Sequence, residues 1–339
     1  PFIFGFAIAY LLDFLLRFYE SKMKNIKCFE KANFRRKRTV GLILTYITTF
    51  LVIVLFMQFV LPQVIDSLVG LINDIPTYIN NTTKLFQESV HKFDLNEEVF
   101  NFINTNFNDV TNYIIKQVTN MLPVLGGLVT STAAGLWNVV LGIIISIYIL
   151  IDKEKFCALA KKISYAILPQ RAADKTIEIT HRSSDTFGKF LSGKILDSLI
   201  IGILTFVVLT IFKMPYTLLV SVIVGITNII PFFGPFIGAI PSVIIILFVS
   251  PVKALWFLLI ILVIQQIDGN IIGPKILGDS IGISAFWILF SILVAGKFLG
   301  LVGMVIGVPL FAVIYSIIKE VVESQLDKKG MKTKTEDYM

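Results

Sequence analysis

Apolar residues in this chain fall into long blocks: 1–18, 40–61, 125–151, 195–212, 217–249, 254–267, 283–295 and 301–318. None alternates with a period of two, which argues against a barrel. A helix of ~20 mainly apolar residues crosses a ~30 Å hydrocarbon layer. Inside lipid, only helices and closed barrels satisfy every backbone N–H and C=O. The pattern therefore predicts an all-α, polytopic transmembrane protein. Two polar stretches are basic and read as cytoplasmic. The first carries Arg17, Lys22, Lys24, Lys27, Lys31, Arg35, Arg36, Lys37 and Arg38. The second, 152–194, carries Lys161, Lys162, Arg171, Lys175, Arg182, Lys189 and Lys194, and Pro169 divides it into two amphipathic pieces. Residues 62–124 are acidic instead, with Val99, Ile103, Phe107, Val110, Ile114, Val118 and Met121 at helical spacing. They predict a small helical extracytoplasmic insert.

The expected organisation is thus two N-terminal transmembrane helices with a basic loop (1–61), the insert (62–124), a further span (125–151), cytoplasmic amphipathic helices (152–194), a C-terminal transport core (195–319) and a cytoplasmic tail (320–339). The tail is expected to be helical to about residue 326 and disordered beyond.

Composition sharpens this reading. Of 339 residues, 55% are hydrophobic and 16% charged, against roughly 25% charged in a soluble domain. Mean hydropathy is +0.82. The net charge of +7 follows from basic cytoplasmic loops facing membrane lipid, so no nucleic-acid partner is expected. Cys28 and Cys157 lie far apart on the predicted cytoplasmic side, so neither a disulfide nor a metal site is expected. His91 and His181 fall on opposite predicted sides. The sequence holds no H-E-x-x-H, G-x-S-x-G or G-x-x-x-x-G-K-[ST] motif. No catalytic residue, cofactor or ATP site is therefore assigned, and any active transport is expected to draw on a gradient. The chain starts at Pro1 rather than Met, and a preceding N-terminal piece is expected.

The last third departs from simple spans. Block 217–249 contains Asn228, Pro231, Gly234, Pro235, Gly238 and Pro241. Proline removes a donor and clashes with the preceding turn. Non-helical backbone at membrane depth survives only inside protein or along a cavity, and broken helices often form transport sites. Counting crossings from Lys213, predicted outside, to a basic tail predicted inside requires an odd number. Four apolar blocks lie between, and 217–249 is the natural hairpin or re-entrant element. Next comes Gln265-Gln266-Ile267-Asp268-Gly269-Asn270, then Gly273-Pro274-Lys275. Such polar groups are costly facing lipid. Asp268 is the candidate proton- or cation-linked carboxylate, with Gln266 and Asn270 as neutral ligands and Gln265, Asn228 and Lys275 completing the set. The competing reading pairs Asp268 with Lys275 or has it cap the next helix. Asp197 reads as an i, i+3 partner of Lys194 at the membrane edge, or as a second acid in a cation/proton antiporter. Gly234, Gly238, Gly303 and Gly307 read as close-packing positions.

Three ordered signatures carry a family resemblance: Ile230 through Pro241 (IPFFGPFIGAIP); Gln266, Asn270, Pro274, Gly278 and Gly282; and Gly296, Gly300, Gly303 and Pro309. Together they resemble the autoinducer-2 exporter family of membrane proteins over nearly the whole chain. One departure is Ser284-Ala285, where many relatives have a proline. The resemblance implies a bacterial multi-pass plasma-membrane transporter that forms a homo-oligomer, with a pentamer one suggestion. It implies export of a small polar solute such as autoinducer-2, a furanone-type diol, or sodium (lithium)/proton antiport. A non-transporting scaffold or regulator is the reading from another class.

Overall fold

A computed structural model describes residues 1–24, 34–71, 73, 74, 77, 105, 109, 116, 132–277 and 282–338. Most of the insert at 62–124, with its apolar stripe and His91, lies outside the described residues, as do Cys28 and Gly278. Among the described residues the chain is helical, without strands.

The first three helices are α1 (Phe2–Lys24), α2 (Phe34–Leu55, prolonged through a π turn at Phe56–Val60 to Leu71) and α3 (Thr132–Ile151). They pack together around Ala9, Leu16, Leu42 and Leu150. Arg38 is buried among them. Its guanidinium donates twice to the Leu150 carbonyl (3.1 and 2.7 Å) and pairs with Glu20 and Glu154. One side chain thus satisfies an orphan carbonyl at the C-terminus of α3 and ties three helices together.

Helix α4 (Lys153–Ile167) is amphipathic and stops before Pro169, after which α5 (Gln170–Ile211) begins. At 42 residues, α5 is about 63 Å long, far more than a bilayer requires. The boundary expected at 194/195 falls inside this one helix, which carries the basic segment directly into the apolar one. The chain then turns at Lys213–Tyr216, where both end residues have positive φ.

Helix α6 (Thr217–Thr227) and helix α7 (Gly234–Val249) form a hairpin, and α8 (Pro251–Ile267) follows. The arms have 11 and 16 residues, about 16 and 24 Å, each short of a ~30 Å hydrocarbon layer. Lys253 Nζ donates to the Lys213 carbonyl at 3.1 Å, so the hairpin begins and ends at one end of the bundle. Tyr216 donates there to Asp74 at 3.2 Å. The helices pack closely: a Cβ on Gly234 would strike the Thr227 carbonyl, and Gly225 approaches Gly202 of α5. Pro235 sits in the first turn of α7, where its missing N–H costs nothing, and Pro241 lies inside that helix.

Beyond α8 come a π turn (Asp268–Ile272), the short α9 (Gly273–Leu277) and α10 (Ala285–Lys328). Helix α10 folds back on itself at Gly300 (φ 60°, ψ −142°). That backbone conformation is essentially reserved for glycine. Gly303 lies against Ala295, Gly307 against Ser291, and Phe311 stacks on Trp287 at 5.1 Å. This is a second antiparallel hairpin, and its tip exposes Phe298, Leu299 and Leu301. Its base is held where Glu320 meets Lys175 and Arg182 of α5. That end also gathers the Lys153–Asp13 and Arg17–Asp185 pairs, so the basic segments expected to share one side do lie together. With two hairpins, only α8 necessarily joins the two ends after Lys213, and the count stays odd. The tail, expected to be disordered beyond about 326, remains helical to Lys328 and closes in a 3-10 turn at Thr335–Tyr338.

Candidate functional site

The tip of the first hairpin, residues 228–233, meets the C-terminal end of α8 and the middle of α5. Phe233 packs against a cluster formed by Phe190 of α5 with Ile292 and Val308 of the second hairpin. Three polar side chains converge where these elements touch. Asp197 is fully buried, Asn228 is 1% exposed and Asp268 is 7% exposed. The Asn228 amide donates to Asp197 Oδ2 and to Asp268 Oδ2, each at 3.3 Å. Lys194 Nζ donates to Asp197 Oδ2 at 2.8 Å. The second oxygen of each carboxylate is buried without a partner, as is Gln265 Nε2.

A cavity of ≈ 280 Å³ opens here, lined by Lys194, Asn228, Ile230, Phe232, Pro235, Gln265, Asp268, Gly269 and Gly273. Each element contributes for a local reason. Asn228 caps the C-terminus of α6 just where the chain must turn. Pro231 and positive-φ Phe232 make that turn. The π turn begins at Asp268, and such turns often mark functional positions in helices. Gly273 lies against the Asp268 carbonyl, which keeps α9 close.

Of the sequence-selected residues, Asp268, Asn228, Gln265, Pro235 and Gly273 line the cavity. Gln266 and Asn270 do not. They are exposed and bonded to each other, Asn270 Nδ2 to Gln266 Oε1 at 3.0 Å. Lys275 and Pro274 are also exposed. Lys275 makes no ion pair among the described residues, so the alternative Asp268–Lys275 pair is absent. Gly234 and Gly238 abut Thr227 and set the hairpin's packing. Pro241 lies further along α7, outside the cavity lining. The i, i+3 pair of Lys194 with Asp197 forms as read, yet it belongs to the cluster and not to a separate membrane edge. Helical phase could have shown this. Positions 265 and 268 share a face, while 266 and 270 share the opposite one.

Outside the site, Cys157 is a free, exposed thiol and His181 is exposed. Among the described residues, no three His, Cys, Asp or Glu side chains converge in a way that could hold a metal ion.

The family model described as AI-2E family transporter matches residues 1–323. The chain belongs to the AI-2E transporter family. Its relatives include YueF of Bacillus subtilis (strain 168), 30% identical over 294 residues, covering 84% of this chain and 77% of YueF. The protein sll0060 of Synechocystis sp. (strain ATCC 27184 / PCC 6803 / Kazusa) is 23% identical over 294 residues, covering 84% of this chain and 80% of its own. YrrI of Bacillus subtilis (strain 168) is 33% identical over 156 residues, covering 46% and 44%. All three are named as candidate transport proteins without a substrate. With its long apolar helices, this AI-2E member is a multi-pass membrane protein of a transporter family.

Proposed function

We propose that the chain is a gradient-driven secondary transporter of a small polar solute, of which autoinducer-2 is the type, in the bacterial plasma membrane. The observation that carries this reading is the buried Asp197–Asn228–Asp268 arrangement beside a ≈ 280 Å³ cavity at a helix break. Drug-sized ligand pockets occupy ~300–1,000 Å³, so this space suits a small hydroxylated solute or a partly hydrated ion. Asn228 and Gln265 supply neutral hydrogen-bonding groups. Asp268 supplies the charge that a proton or cation would balance. The scaffold of broken helices can change shape without exposing backbone to lipid. A homo-oligomer is consistent with the extensive exposed apolar surface of the helices, which lipid and neighbouring copies would share.

Sodium or lithium/proton antiport is the second reading. The unequal charge count favours it, since two carboxylates meet one lysine. One experiment addresses both. The full-length protein and Asp268→Asn are reconstituted in proteoliposomes under a proton gradient, and internal pH is followed as autoinducer-2, sodium or lithium is added. A response to one of them that Asp268→Asn abolishes is the expected result. Full exchange by Asp268→Asn would remove Asp268 from the mechanism, and no response from folded protein to any of the three would overturn the reading.

A further inference from the structure

The cluster contains one feature that a carrier of neutral solute does not require. Lys194 sits only 11% exposed at the edge of the cavity, with its ammonium on Asp197 at 2.8 Å. Asn228 bridges Asp197 and Asp268, whose carboxyl groups also lie within direct reach of each other, and each leaves one buried oxygen without a hydrogen-bond donor. Asp268 is more than nine-tenths buried and lines the cavity, and its Oδ1 is left as an unused acceptor. Gln265 adds a carboxamide to the same cavity lining.

The geometry points to a monovalent-cation site whose valence is set by Lys194. The lysine cancels the charge of Asp197, so that with Asp268 ionised the site carries a single negative charge. That matches sodium or lithium and leaves a divalent ion with uncompensated charge in a low-dielectric setting. Removing the lysine charge would leave two carboxylates, one carboxamide bridge and Gln265 around the same space. Such a hard oxygen set suits calcium or magnesium, whose affinity rises with the number of charged ligands. Lys194 is thus a tethered cation that occupies half of a potential divalent site. This inference rests on the transport reading for its purpose, but it concerns binding alone.

The test is the thermal unfolding midpoint of the purified full chain in detergent, with choline chloride holding ionic strength constant. For the wild type, sodium or lithium chloride is expected to raise the midpoint saturably, and calcium and magnesium chloride are not. Asp268→Asn should remove the monovalent response. Lys194→Gln should gain a divalent response at a concentration at least about tenfold lower than any seen in the wild type. Adding Asp268→Asn to Lys194→Gln should remove that gain, and Lys194→Arg should keep the wild-type preference. Lys194→Arg, which keeps the charge, shows whether a loss comes from misfolding. A folded Lys194→Gln without divalent response would overturn the inference, as would a wild type that binds divalent ions equally well. A wild type that transports but shows no saturable cation response would also overturn it, while leaving proton-coupled transport standing.

Discussion

Asn228 and Thr205 show how differently two buried polar side chains can matter in one protein. Asn228 donates to both carboxylates, so Asn228→Leu leaves Asp268 without its donor and Asp197 with Lys194 alone. Stranding buried polar groups costs about 1–3 kcal/mol, more when they are charged, and thermal unfolding should show a loss of at least that size. Thr205 is fully buried in α5 and its hydroxyl has no partner. Thr205→Val keeps the shape and removes an unsatisfied group, so its unfolding midpoint should stay level or rise. Asp268 and Asn228 are conspicuous in the sequence because each interrupts an apolar run. Lys194 and Asp197 are harder to place. An i, i+3 pair at the start of an apolar block looks the same whether it faces headgroups or a protein cavity, and only the arrival of Asn228 from 31 positions away distinguishes the two. Gln266 and Asn270 mislead for the opposite reason. They are polar and adjacent to Asp268, but helical phase turns them away from it.

At the scale of elements, the breaks in the pattern are legible and the distances between them are not. Proline and glycine at 231–241 mark a helix interruption, and the turn between blocks 283–295 and 301–318 falls at Gly300, as the glycines there suggest. What composition does not show is how closely the arms meet. A Cβ at Gly234 would run into the Thr227 backbone. Gly234→Ala should therefore push α6 and α7 apart, costing about 1–3 kcal/mol in the manner of overpacked cores. Gly70 is also helical, yet a Cβ added there would meet nothing within 4 Å. Gly70→Ala should be neutral or stabilise by roughly 0.5–1 kcal/mol. Comparing the two midpoints separates the loss of close approach from the general effect of adding a methyl group. The continuity of α5 is also hidden, because its charged and apolar halves look like two objects when read by composition alone.

For the whole molecule, basic segments far apart in sequence gather at one end of the bundle, while Lys213 and Lys253 meet at the other. In a background with Cys28 and Cys157 replaced by serine, cysteines at 213 and 253 should react with a membrane-impermeant thiol reagent from the same side. A cysteine at 329 should react from the opposite side. Labelling of 213 and 253 from different sides would rule out the hairpin. The parity of crossings follows from charge alone, but the number of hairpins does not, since an arm that turns back and a helix that crosses are equally apolar. The shortness of those arms also bears on how the protein is made. Neither α6 nor α7 is long enough to hold a place in lipid by itself, and Asn228 at their junction would be costly there without its acidic partners. Helices α5 and α8 must already be seated before the hairpin tip can settle. The carboxylate cluster is therefore a late product of membrane insertion, completed only after residue 268 has left the ribosome.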